Sequence, residues 1–224
     1  MKRSEINSIL RGAEAFIASA GFNLPAWARF SPERWRTELA SGDYDEVRAL
    51  ALGWDVTDYG QGDFLKVGLT LFTVRNGSLS DPRYPKGYAE KLLISEAGQV
   101  CPCHFHFNKR EDIINRAGGT LCMQLWKSSP GGEALSEESF TVSVDGKRVA
   151  CTPGLILRLV PGESVTLEPG VYHAFWAEGE RCLIGEVSSV NDDENDNRFY
   201  VPQARFPTIE EDEAALWHLC NEYK

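Results

Sequence analysis

Nowhere in the 224 residues do about 18 apolar residues run together, which argues against a membrane-spanning helix. The opening Met1-Lys2-Arg3-Ser4-Glu5-Ile6-Asn7 is basic for two residues, but no uninterrupted apolar stretch of the signal-peptide kind follows, so the expected compartment is the cytoplasm. Positive charge is also short. With 23 Lys and Arg against 33 Asp and Glu, the net charge is -10, and such a surface repels nucleic acid and anionic lipid before contact. Neither is an expected partner, and a small molecule is. Paired cysteines are missing as well: the six are spread singly except for Cys101-Pro102-Cys103. No second pair stands at zinc-ribbon spacing, so buried thiols are expected in place of a disulfide frame or a thiolate metal site.

What is present describes a folded domain, with 42% hydrophobic, 11% aromatic and 25% charged residues. Residues 1–52 predict a helical N-terminal extension. Ile6, Ile9, Leu10, Ala13, Phe16 and Ile17 recur at helical spacing behind a capping Ser4, and Ser31-Pro32-Glu33 starts a second helix that turns Trp35 and Leu39 inward. Residues 53–190 change to short Val-, Thr-, Phe- and Leu-rich stretches punctuated by Asn76-Gly77, Asp145-Gly146, Pro153-Gly154, Pro161-Gly162 and Pro169-Gly170. That punctuation predicts antiparallel strands closing into a sandwich or small barrel. One strand is expected over 100–107, another over 119–127, and two separate ones over 172–177 and 182–188. Residues 191–224 read as a polar loop followed by an arm carrying a short helix from Glu210 to Leu219.

Only four histidines occur, and three can be explained together. His104 and His106 stand two apart on an expected strand, so both imidazoles leave the same face. Glu111 follows after a short turn, and His173 begins a later strand that could neighbour the first. Three imidazoles and one carboxylate would leave a divalent cation with open positions for water or substrate, and this donor set suits Mn, Fe(II), Co, Ni or Zn.

The wider spacing, Gly98, five residues, His104, one, His106, four, Glu111, six, Gly118, resembles the first motif of the cupin superfamily. The second motif is looser: proline and glycine are adjacent at Pro169-Gly170, and Ala177 stands where asparagine is usual. The resemblance implies a mainly β fold, a jelly-roll-like antiparallel barrel, with the four residues as metal ligands. Longer stretches resemble the bacterial D-lyxose isomerase family. They include Leu52-Gly53-Trp54-Asp55-Val56-Thr57, Lys109-Arg110-Glu111-Asp112-Ile113-Ile114-Asn115-Arg116, Phe175-Trp176-Ala177-Glu178, Gly185-Glu186-Val187-Ser188-Ser189-Val190-Asn191-Asp192-Asp193 and Cys220-Asn221-Glu222-Tyr223. This implies a manganese-dependent aldose-ketose isomerase, interconverting D-lyxose with D-xylulose and D-mannose with D-fructose, as a homodimer.

Candidates for proton transfer within the shared stretches are Glu186, Lys91 and Lys109. Glu186 is the first choice as base, because alternation places it with Ile184 and Ser188 and burial would raise its pKa. Asp192, Asp193 and Arg198, with Trp176, are candidates for holding sugar hydroxyls or a sugar face, against solvation for the loop residues and core packing for the tryptophan. Two rivals share the metal ligands: an Fe(II) dioxygenase and a non-catalytic sugar-binding cupin.

Overall fold

The computed structural model describes residues 1–193 and 195–223; Glu194, inside the expected polar loop, and Lys224, at the end of the arm, lie outside the described residues. Three helices come first: α1 (Arg3–Ser19), α2 (Pro32–Ser41) and α3 (Asp45–Ala49). The expected apolar stripe of α1 is buried through Ile6, Leu10, Ala13 and Ile17, which pack with Trp54, Phe72 and Leu92. Its cap differs from expectation. The backbone N–H of Lys2 donates to Glu5 Oε2 at 2.8 Å, and Ser4 instead bonds Asp212 of the distant arm. In α2, Ser31 Oγ accepts from the Arg34 N–H at 3.3 Å and Pro32 opens the helix as predicted, while Trp35 and Leu39 turn inward. Among the described residues no helix is long and apolar enough to cross a membrane.

Among the described residues eleven strands follow: β1 (Gly53–Thr57), β2 (Leu69–Arg75), β3 (Tyr88–Ser95), β4 (Val100–His106), β5 (Glu111–Lys127), β6 (Phe140–Val144), β7 (Lys147–Cys151), β8 (Leu155–Leu159), β9 (Ser164–Leu167), β10 (Val171–Ser189) and β11 (Asn197–Phe199). They join one antiparallel sheet, and β10 is its spine, pairing with β3, β4 and β5. This is the mainly β, cupin-type barrel. Its interior holds Leu121, Met123, Leu125, Leu159, Val165, Leu167, Phe175 and Ile184, each almost fully buried. A side chain such as Leu contributes about 1.5–3 kcal/mol when removed from water this way.

Several expectations need correction. The strand expected from residue 119 begins at Glu111, because Ile113 and Asn115 alternate inward behind the turn. The two strands expected over 172–188 are one, β10, bulged where its register to β5 shifts between Glu178 and Cys182. At that bulge Gly118 has φ +94°, and a Cβ there would collide with the Arg181 carbonyl. Strands β1 and β11 were not anticipated. The helix expected from Glu210 to Leu219 does not form. Its acidic residues serve as acceptors for α1: Glu211 takes Arg3 at 2.6 Å, Asp212 takes Ser4 and Glu213 takes Asn7. Those long-range bonds override local helical preference.

Candidate active site

A bulge aims the strand that carries His104 and His106. His173 lies opposite His104 and Phe175 opposite Cys101, so three steps along β4 face two along β10. The extra residue shifts the alternation, and Cys101, His104 and His106 all line one cavity. His173 and Glu186 reach it from β10, Lys91 from β3, and Lys109 and Glu111 from the turn into β5.

The three imidazoles form a cluster whose ligand atoms lie within 4.8 Å of one another. Each Nδ1 faces a backbone carbonyl: Pro102 O at 2.7 Å for His104, Asp196 O at 3.3 Å for His106 and Val171 O at 3.1 Å for His173. A proton held on Nδ1 by those carbonyls leaves every Nε2 as a lone pair directed into the cavity. Burial lowers the pKa of all three rings, with His106 pushed down to about 4, so the cluster is neutral near pH 7.

Glu111 Oε1 stands beside the cluster. It is buried without a hydrogen-bond partner and lies 3.4 Å from His173 Nε2 and 3.7 Å from His106 Nε2. An orphaned carboxylate oxygen facing uncharged imidazoles is costly unless a cation shares the space. Donors about 2.1 Å from a common ion stand roughly 3–4 Å apart, and these separations match. The three imidazoles therefore fit a divalent cation, with Glu111 Oε1 standing near two of them. The two nearby thiols do not compete for it, since burial pushes Cys101 up to about 12 and Cys103 up to about 11.

Beside the histidine cluster runs a buried chain of alternating charge. Lys109 Nζ lies 2.8 Å from both Glu111 Oε2 and Glu186 Oε1. Lys91, paired across the strands with Glu186, lies 3.4 Å from the same Oε1 and 3.8 Å from Asp193. Asn191 Oδ1 accepts from Lys91 at 2.6 Å and from Lys109 at 3.3 Å. The pKa of Glu186 moves opposite to expectation. Burial raises it, but the ammonium groups of Lys109 and Lys91 outweigh that and hold it below the ordinary carboxylate range. Glu111 is lowered on the same balance, and Lys109 is raised because its two carboxylates outweigh desolvation.

The structure thus brings together His104, His106, Glu111, His173, Glu186, Lys91 and Lys109. Asp193 joins them, but Asp192 lines a neighbouring cavity. Arg198 and Trp176 line neither. Asn197 and Phe199 take the inward positions of β11, so Arg198 between them faces away. Sequence reasoning missed Tyr59, Asn197, Phe199 and Arg205 in the cavity wall, and Asn191 and Asp196 behind it. Asp196 accepts from the backbone N–H of Asn108 at 2.6 Å and of Lys109 at 2.8 Å, fixing the turn that presents Lys109 and Glu111. The polar run 191–197 was the available signal, and it supplies scaffold as well as surface.

A family model described as D-lyxose isomerase matches residues 1–223. A D-lyxose/D-mannose isomerase from Serratia proteamaculans is 50% identical over 226 residues, covering 100% of this chain and 98% of that protein. One of the same name from Escherichia coli O157:H7 is also 50% identical, with 100% and 99% covered. Among solved structures, a mutant L-ribose isomerase from Acinetobacter sp. DL28 in complex with L-ribose superimposes with TM-score 0.63 at 16% identity, covering 94% of this chain and 98% of that one. The L-ribose isomerase of Cellulomonas parahominis with no ligand gives 0.61 at 16% identity, with 94% and 98% covered. At such identity these structures speak for the fold alone.

Proposed function

The chain belongs to the D-lyxose isomerase family, and from that premise we propose that this sugar aldose-ketose isomerase interconverts D-lyxose with D-xylulose, and D-mannose with D-fructose, using a divalent cation held by His104, His106, Glu111 and His173. The observation that carries the reading is the meeting of two sets of groups in one cavity. Three neutral imidazoles and an unpartnered carboxylate oxygen stand beside a second carboxylate flanked by two ammonium groups.

Isomerisation moves hydrogen between C1 and C2 of the open-chain sugar, and negative charge gathers on O1 and O2 as it proceeds. When bound, the cation, manganese by family resemblance, supplies Lewis acidity at those oxygens, a contribution of several kcal/mol. Glu186 accepts the C2 proton. It is ionised at neutral pH because Lys109 and Lys91 hold it so, and after exchange with water it can deliver a proton to C1. Lys109 and Lys91 present N–H donors where oxygen charge develops, and their buried position makes that stabilisation larger than in water. Leu71, Leu93, Ile113 and Phe175 supply apolar lining to the same cavity.

Purified protein incubated with D-lyxose and Mn2+ is expected to form D-xylulose, with EDTA abolishing turnover and added Mn2+ restoring it. Turnover undiminished after rigorous chelation, or after His104→Ala with His173→Ala, would overturn the reading. Substrate deuterated at C2 separates two routes. Proton transfer through Glu186 releases label to water, whereas full retention at C1 would mean a direct hydride shift.

A further inference from the structure

The cavity bounded by the ligands and Glu186 has a volume of about 60 Å³. Water occupies about 30 Å³ per molecule in the liquid, so this space suits roughly two waters. A pentose has ten non-hydrogen atoms and a hexose twelve, and neither fits. A second cavity of about 870 Å³ lies next to it, inside the range of about 300–1,000 Å³ usual for small-molecule sites. Asp193 and Arg205 line both, alone among the described residues. Arg205 Nη2 donates to Asp193 Oδ2 at 3.1 Å and Nη1 lies 2.5 Å from the fully buried Asp55 Oδ2, so this pair forms the partition.

We propose that the larger cavity is a receiving site for the cyclic aldose, from which the opened chain extends its C1–C2 end past the Asp193–Arg205 partition to the inner groups; this rests on the isomerase reading above. The lining suits a pyranose. Thr73 and Ser78 carry hydroxyls in the lining, and Phe206, 38% exposed, offers an apolar face for the C–H side of a ring. Ring opening needs no co-reactant. The C1–O5 bond breaks, O1 gives up its proton as the carbonyl forms, and O5 gains one.

Ala49 and Ser80 are exposed residues lining this cavity and take no part in the inner one. Filling it through Ala49→Trp, and separately Ser80→Trp, is expected to raise KM for D-lyxose about tenfold while kcat stays within about twofold. Methyl α-D-lyxopyranoside, which cannot open, is expected to inhibit the wild-type protein competitively and to bind at least tenfold more weakly to either variant by calorimetry. Folded variants with unchanged KM and unchanged glycoside affinity would overturn the proposal, as would a glycoside that does not bind the wild-type protein. The calorimetric arm needs no turnover, so a protein that binds the glycoside through this cavity yet isomerises nothing would sink the isomerase reading and leave the receiving site standing.

Discussion

At the scale of single residues, Glu186 is the sharpest test of the chemistry. Glu186→Gln keeps the shape of the side chain but removes the proton acceptor, and kcat is expected to fall by about 10²–10⁴, the usual contribution of a positioned general base. A kcat within threefold of wild type would remove it from that role. The imidazoles make a different prediction. His106 sits near 4 in the folded protein against 6.5 for the free group, and His104 and His173 are lowered too. Between those values the unfolded chain binds protons that the folded chain refuses, so stability from these rings is complete above about 6.5 and declines as pH falls towards 4. Urea unfolding of chelator-treated protein should give a lower midpoint at pH 5 than at pH 7; equal midpoints would mean the rings are not held neutral. The histidine cluster was legible in the sequence because His104 and His106 share a strand face by simple alternation. Asp193 was read as a loop candidate for sugar hydroxyls without its pairing to Lys91 and Arg205, and Asp196 and Arg205 were not legible. Each acts through partners far away in the chain, and a polar side chain in a hydrophilic run looks the same whether it meets water or a buried charge.

Among the elements, the N-terminal helix and the C-terminal arm depend on each other. Arg3 of α1 is 2% exposed and bonds Glu211 at 2.6 Å and Glu222 at 2.5 Å, while Asn7 grips Glu213 and the Ala214 carbonyl. Breaking a fully buried ion pair costs about 3–5 kcal/mol. Glu211 is 60% exposed, so Arg3→Ala should cost less, about 2 kcal/mol once solvent screening is allowed for. The check is chemical denaturation together with limited proteolysis, where cleavage should appear first in the arm; an unchanged midpoint would show the clamp to be incidental. The strands over 140–144, 155–159 and 164–167 were readable residue for residue, because Asp-Gly and Pro-Gly turns fence them. The start of β5 and the course of the arm were not. Glu111–Arg116 is too polar to advertise a strand, and the arm's acidic run has helical preference that only contact with α1 overrules.

For the molecule as a whole, an ion bound only by the folded state adds stability by mass action. At a free concentration of 100 times its Kd the gain is about 2.7 kcal/mol, which in a chain of this size corresponds to a Tm rise of about 5–10 °C. Differential scanning calorimetry with and without Mn2+ should show that rise in wild-type protein and lose it in His104→Ala; a Tm indifferent to Mn2+ would contradict the ligand assignment. Lys109 gives this balance its particular character. Its ammonium bridges Glu111 Oε2 and Glu186 Oε1, and Lys91 adds a second positive charge at Glu186, so two internal cations face the two carboxylates while Glu111 Oε1 alone stays unpartnered. Maturation can therefore run in one order, barrel first and loading afterwards. Under the proposed reading, protein made without the metal would fold and remain ready to be loaded.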